Sequence, residues 1–228
     1  MGSADLRRLG ISPALAHEYV ASGWLARLGR GVFMFTGDTL ERDACLHFLQ
    51  TRVPGLHVAG RTALDWQGFR QNVAQREVLC LHGRGNAVLP EWFTQRFPAR
   101  YSRARLFDDK LAPGFGLTVL PEGVLGEKGP LVSAPERALL EMLNEVGVHQ
   151  EAAEARAIME TVRHLRAKEL AKLLRHCRTV KAARLCVVWA EEHGLPWAAA
   201  ARTAAAGQLG TGRWVKRLKD GRTLILKP

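Results

Sequence analysis

The stretch that decides the fold reads Leu6-Arg-Arg-Leu-Gly-Ile-Ser-Pro-Ala-Leu-Ala-His-Glu-Tyr-Val-Ala-Ser-Gly-Trp-Leu-Ala-Arg-Leu-Gly-Arg-Gly-Val-Phe-Met-Phe35. Leu6 and Leu9 share one face of a short helix that stops at Gly10, a common helix terminator. Ser12 offers an N-cap oxygen and Pro13 takes the first helical position, where a missing N–H costs nothing. The spacing predicts a second helix from Pro13 to Ser22 that buries Leu15, Tyr19 and Val20 and turns Ala14, His17, Glu18 and Ala21 outward. Gly23 ends it. Trp24 to Leu28 and Val32 to Phe35 read as paired strands joined by Gly29-Arg30-Gly31.

Helix, turn, helix and hairpin within thirty residues have the layout of a winged helix-turn-helix. Such a unit is too small to enclose a substrate. In its DNA-binding versions the second helix enters the major groove, and a hairpin tip carrying Arg30 can reach a phosphate or the minor groove. The competing reading is a helix–hairpin cap with Arg27 and Arg30 merely solvated. Winged helices of this kind carry a further helix before the first one here. Only five residues precede Leu6, so the unit is expected to be truncated or to lack that helix.

Beyond Gly37-Asp38 the pattern changes. Thr39 to Arg52 is an amphipathic helix ended by Pro54-Gly55, and Thr62 is expected to cap a short helix in Gly60-Arg-Thr-Ala-Leu64. Glu77 to His82 reads as a buried strand, Leu89-Pro-Glu-Trp-Phe93 as a helix start, and Arg100 to Phe107 as an exposed strand. Leu117 to Leu120 is a strand flanked by turns within the Gly- and Pro-rich 113–126. In Val132-Ser-Ala-Pro-Glu136, Ser133 is the expected N-cap. From Glu151 to about His193 the chain reads as helical, with breaks near Ala167 and Thr179. Trp214 to Leu226 alternates around Asp220-Gly221, a hairpin signal. The expected fold class is α+β: a winged helix-turn-helix at residues 1–38, then a mixed α/β domain at 39–228 with a helical, basic C-terminal part.

Charge sharpens this. The net charge of +11 divides unevenly: residues 1–38 carry four basic and three acidic groups, 39–150 thirteen and twelve, and 151–228 sixteen and seven. A basic surface of that size attracts polyanions through counterion release. The alternative is a solvated helical face. No apolar run approaches membrane-spanning length and no secretory leader is apparent, so the expected compartment is cytoplasmic, without a membrane partner. Cys45, Cys80, Cys177 and Cys186 are scattered without metal-ligand spacing and read as reduced and mostly buried. No zinc spacing, phosphate-binding loop or nucleophile turn is present, so no metal or cofactor is expected.

Six segments recur together in one known family: Gly10–Phe33, Gly60–Leu64, Leu89–Phe93, Ser133–Glu141, Val180–Leu185 with His193–Trp197, and Leu209–Arg213. On these the chain resembles the AbiEi antitoxins, the transcriptional-regulator half of type IV toxin–antitoxin systems. The resemblance implies a winged helix-turn-helix followed by a domain that carries antitoxin activity. It also implies binding to inverted repeats in the protein's own promoter and autorepression. A nucleotidyltransferase-like toxin would be countered without a stable complex.

On the DNA side the candidates are Ser12, His17, Arg27 and Arg30, with Arg7 and Arg8 as backbone contacts. Arg175, Arg178, Lys181, Arg184, Arg213, Lys216, Arg217 and Lys219 are candidates for a C-terminal polyanion surface. Arg61 is expected in an internal ion pair. Arg137, one turn before Glu141, gives an intrahelical pair that is architecture rather than chemistry. No catalytic activity is expected. Two other classes are a winged-helix regulator without a toxin partner and, distantly, a metal-dependent nuclease built on Asp108-Asp109-Lys110.

Overall fold

The computed structural model describes residues 1–69, 77–121, 129–217, 221 and 223–226. The N-terminal unit follows the local signals closely. Helix α1 spans Ser3–Arg8 and stops before Gly10, whose φ is +79°. Helix α2 spans Pro13–Ala21, with Ser12 Oγ accepting from the Leu15 amide at 3.1 Å. Strands β1 (Leu25–Gly29) and β2 (Val32–Phe35) pair antiparallel, with a register shift between Arg27 and Gly29. Gly31 turns the hairpin at φ +69°, a backbone conformation that favours glycine, and an added Cβ would also displace the Ser3 hydroxyl, 2.9 Å away. The start of the chain closes the unit: Ser3 N donates to Gly31 O and Phe33 N to Met1 O, both at 2.9 Å.

This unit has its own small core. Leu6, Ala16 and Leu25 are buried, with Ile11, Tyr19, Val20 and Phe33 packed around them. Ala16 is the fully buried residue of α2, and Leu15, expected inside, is half-buried. His17, Glu18, Ala14 and Ala21 face outward as their spacing requires.

Helix α3 (Arg42–Gln50) buries Cys45, Leu46 and Leu49 in a different and much larger core. The two parts meet at the Asp5–Arg52 ion pair, 3.3 Å, and where Trp92 lies beside Gly29. Five strands then form a mixed sheet in the order β5-β4-β3-β7-β6. They are β3 (His57–Val58), β4 (Leu79–His82), β5 (Ala99–Ser102), β6 (Leu117–Val119) and β7 (Leu131–Ser133). Helices α4 (Gly60–Trp66) and α5 (Glu91–Arg96) sit in the connections between β3, β4 and β5. The two-residue β3 is central, antiparallel to β4 and parallel to β7. It is too short to show a two-residue period, and only its two neighbours make it a strand.

Helix α6 (Pro135–Glu145) is the hub. It packs against α4 and against α8 (Ala167–Arg175) and α9 (Val180–Glu192), while α7 (Ala152–Thr161) flanks α9 and α10 (Ala198–Ala205) packs on α8 and α9. The breaks between α7, α8 and α9 fall where the sequence places them. A single 3-10 turn, Ala206–Gln208, leads to the hairpin β8 (Trp214–Arg217) and β9 (Thr223–Leu226). Trp214 pairs with Leu226 and Arg217 with Thr223, the antiparallel pairing expected of this hairpin. Asp220 itself lies outside the described residues.

Two capping expectations are corrected. Ser133 ends β7 instead of capping α6, whose N-cap is Ala134. Its hydroxyl is drawn inward to Glu141. Thr62 lies inside α4, two residues past its start. Its buried Oγ1 accepts from Cys80 N at 2.9 Å and donates to Val78 O at 3.4 Å, clamping the helix to β4. In both cases a tertiary partner, the Glu141 carboxylate or the Cys80 amide, outcompetes the local cap, because an unsatisfied polar group inside costs more than an uncapped helix end.

Candidate functional site

Four of the six N-terminal candidates line one cleft. Arg7, Ser12, His17 and Arg27 border a cavity of about 270 Å³ between α1, α2 and the hairpin. Arg27 folds back so that its Nε donates to Gly29 O at 3.3 Å. Arg30 is exposed at the hairpin tip. Arg8 is exposed but ion-paired with Asp5 of its own helix. This arrangement sets two guanidinium groups, from α1 and β1, around one cleft with the Ser12 hydroxyl and the His17 ring.

The C-terminal candidates divide. Arg175, Arg178, Arg213, Lys216 and Arg217 are exposed. Lys219 lies outside the described residues. Lys181 is half-buried, with Nζ donating to Val146 O at 3.1 Å, and burial pushes its ammonium below the ordinary value. Arg184 does not belong to a surface at all. It is 1% exposed inside α9, and its Nε donates to Leu209 O. The stem of α9 is buried all round, so its cation is spent on tying down the chain after α10.

Nothing in the sequence reading singled out the cluster at the centre of the sheet. His57 on β3 and His82 on β4 are directly opposed across the antiparallel pair, so both rings leave the same face, 6.0 Å between centroids. Glu141 of α6 reaches the same point. Its Oε1 lies 3.1 Å from His57 Nε2 and 3.8 Å from His82 Nδ1, and it accepts from Arg137 Nε at 2.9 Å. Its Oε2 accepts from Ser133 Oγ at 2.7 Å and from Gly60 N at 3.1 Å. Gly60 holds a φ of +51° to aim that amide. His57 Nδ1 is 2.8 Å from the Gly55 carbonyl. The expected intrahelical Arg137–Glu141 pair is thus present, but as one corner of a largely buried network that also joins His57, His82, Ser133 and Gly60.

Burial alone would raise the Glu141 carboxyl. His82, the hydrogen bond from His57 and the Arg137 guanidinium outweigh it and hold the group below the usual carboxylate range. Burial pushes the His82 imidazole below its ordinary 6.5. The network therefore stabilises a carboxylate in the interior beside a ring whose charged form burial disfavours.

This network forms one wall of the larger cleft, about 590 Å³, whose rim carries Arg84, Arg103 and Arg105. Asp108 and Asp109 line the same cleft. Asp108 accepts from His176 Nδ1 at 2.9 Å and from the Lys110 amide at 2.9 Å, which ties this loop to the end of α8. That is an architectural use of the Asp-Asp-Lys run. Arg61 pairs with Glu154 at 2.7 Å, as its motif suggested. Glu136 is buried and receives the amide and the guanidinium of Arg166.

The signal that could have found the cluster was weak: a histidine at each end of two apolar strands and a glutamate on a helix that is otherwise buried. The three are 25 to 84 residues apart, so no local spacing links them.

Two family models match end to end. Residues 1–75 match the N-terminal domain of the AbiEi antitoxin transcriptional regulators, and residues 76–224 match the AbiEi antitoxin transcriptional regulator of type IV toxin–antitoxin systems. No curated protein sequence matches significantly. Among solved structures, the chain is similar to the crystal structure of the RV2827C protein from Mycobacterium tuberculosis. The two share 15% identity over 90% of this chain and 75% of that one, with a TM-score of 0.57. At that identity the likeness concerns the fold alone.

Proposed function

This chain belongs to the AbiEi antitoxin family, transcriptional regulators of type IV toxin–antitoxin systems, and on that premise we propose that it represses its own operon by binding promoter DNA. Residues 1–38 act as the winged helix-turn-helix and 39–228 as the antitoxin domain. The observation that carries this reading is the cleft between α1, α2 and the hairpin, where Arg7, Ser12, His17 and Arg27 converge while Arg30 projects from the tip. The outward face of α2 enters the major groove and the hairpin lies along the backbone.

The separation of the two hydrophobic cores between Phe33 and Leu40 supports the division into two functional parts. The exposed cations Arg175, Arg178, Arg213, Lys216 and Arg217 add sequence-independent phosphate contacts. Among the described residues no helix is long and apolar enough to cross a membrane. The toxin is a functional partner countered without a stable complex, and the chain itself is not a catalyst.

The test is fluorescence anisotropy of the full chain on its own upstream DNA and on a scrambled duplex, at low and moderate salt. Tighter binding to the upstream DNA that survives salt is the expected result. Arg30→Ala weakens that binding and reduces the salt slope by about one unit. Equal, salt-sensitive binding to both duplexes would remove the N-terminal unit as a sequence reader. Rescue of growth on co-expression with the adjacent gene product tests the antitoxin half.

A further inference from the structure

We propose that His57, His82 and Glu141 form a site for one divalent transition-metal ion of the zinc class, open to the large cleft. The donor set is two imidazoles and a carboxylate, a combination that suits zinc and its neighbours. The three donor atoms all lie within 4.8 Å of one another. Tetrahedral bonds of about 2.0–2.2 Å set ligand atoms roughly 3.4 Å apart. The carboxylate oxygen lies 3.1 Å from one ring nitrogen and 3.8 Å from the other, on either side of that spacing.

The hydrogen bonds around the cluster prepare it for an ion. The Gly55 carbonyl can only accept, so His57 Nδ1 carries a proton. Nε2 is then the ring nitrogen that faces Glu141 Oε1, at 3.1 Å, where a cation can take the place of a hydrogen-bonding proton. A cation between them turns that opposition into ligation, and a ring N–H held by a backbone carbonyl is the usual support of a metal-bound histidine. Glu141 is oriented by Ser133 and Gly60 through Oε2, which leaves Oε1 to face the rings. Arg137 also sits on Oε1, using one of its two lone-pair directions.

His82 gives the independent observation. It is 7% exposed, yet among the described residues it makes no hydrogen bond, only the 3.8 Å approach to Glu141. Its ring lines the cleft, so its nitrogens are open to a water molecule or an ion from that side. The cleft supplies an access path and leaves a coordination position facing the arginine-bearing rim. The competing account is a His57 imidazolium in a plain ion pair with Glu141, and it needs no metal. Both accounts are independent of the DNA-binding reading, since the cluster lies wholly outside residues 1–38.

The experiment uses the full chain, stripped with chelator and dialysed, then titrated with Zn²⁺ by calorimetry and with Co²⁺ by absorption. One equivalent bound, with a cobalt spectrum free of thiolate charge-transfer bands, is the expected result. His82→Gln weakens binding at least about tenfold with unchanged far-ultraviolet circular dichroism. In case that variant does not fold, histidine ring nitrogen NMR of the wild-type chain reads the same point. Zn²⁺ shifts the His57 Nε2 and His82 Nδ1 resonances together. Absence of stoichiometric binding, thiolate ligation, unaltered affinity in a folded His82→Gln variant, or ring resonances indifferent to Zn²⁺ would each overturn the proposal.

Discussion

The N-terminal unit and the sheet domain are held together in different ways. In the first, three small-to-medium side chains, Leu6, Ala16 and Leu25, form the buried centre, and each turn is set by a residue beside it: Ser12 caps α2 and Gly31 closes the hairpin. In the second, a broad apolar core surrounds a buried charged network whose members come from β3, β4, β7, α4 and α6. A unit with local contacts and little buried area is marginal alone and adaptable at its surface. A domain that buries an anion must satisfy it completely or lose stability. The difference suits the function proposed above, with a small DNA-reading unit carried on a larger domain.

The comparison breaks most visibly at Glu141. Glu141→Ala strands His57, Ser133 and Arg137 around a hole, and the loss is expected at about 3–5 kcal/mol in denaturant unfolding of the metal-free chain. An effect below about 1 kcal/mol would show that the network is wetter than its burial implies.

Leu6→Ala comes next. It removes the centre of the small core and costs about 2–3 kcal/mol there. Specific DNA binding should fall steeply while the main unfolding transition stays in place. A matching drop in the main transition would mean that the two cores fold as one.

Ser12→Ala removes the α2 cap and is worth about 1 kcal/mol. Hydrogen exchange should speed up at Leu15 and its neighbours and not in α6.

The smallest effect concerns the joint. Asp5 is held at about 2, against an ordinary 3.8, by the Gly2 amide first and then by Arg8 and Arg52. A carboxyl lowered in the folded state stabilises above its ordinary value. That contribution is lost as pH falls from about 4 towards 2. Over that window, and in Asp5→Asn at neutral pH, the N-terminal unit should become more accessible to protease, by less than about 1 kcal/mol.

Much of the fold was legible because it was written locally. Pro13 after Ser12, Gly10 and Gly23, the alternation on either side of Asp220-Gly221, and the breaks between α7, α8 and α9 all act within a few residues of where they stand. The readings that failed share one cause. Ser133 and Thr62 are good caps in isolation, but each has a tertiary partner beyond the reach of a local cap, Glu141 eight residues on for one and the Cys80 amide for the other. Arg184 looks like one more cation in a basic run until α9 is buried on every side. The strand β3 has two residues and no period to detect.

By itself, then, the sequence determined the helices and turns of the N-terminal unit, the α+β class and the excess positive charge of its last third. Each depends on backbone preference, side-chain period or composition, which need no distant partner. Only the tertiary structure decided which polar groups go inside. The register of β3 against β4 sets His57 opposite His82, and the packing of α6 on the sheet brings Glu141 between them. Those three meet because sheet pairing and helix packing close loops tens of residues long, and no spacing along the chain encodes that closure.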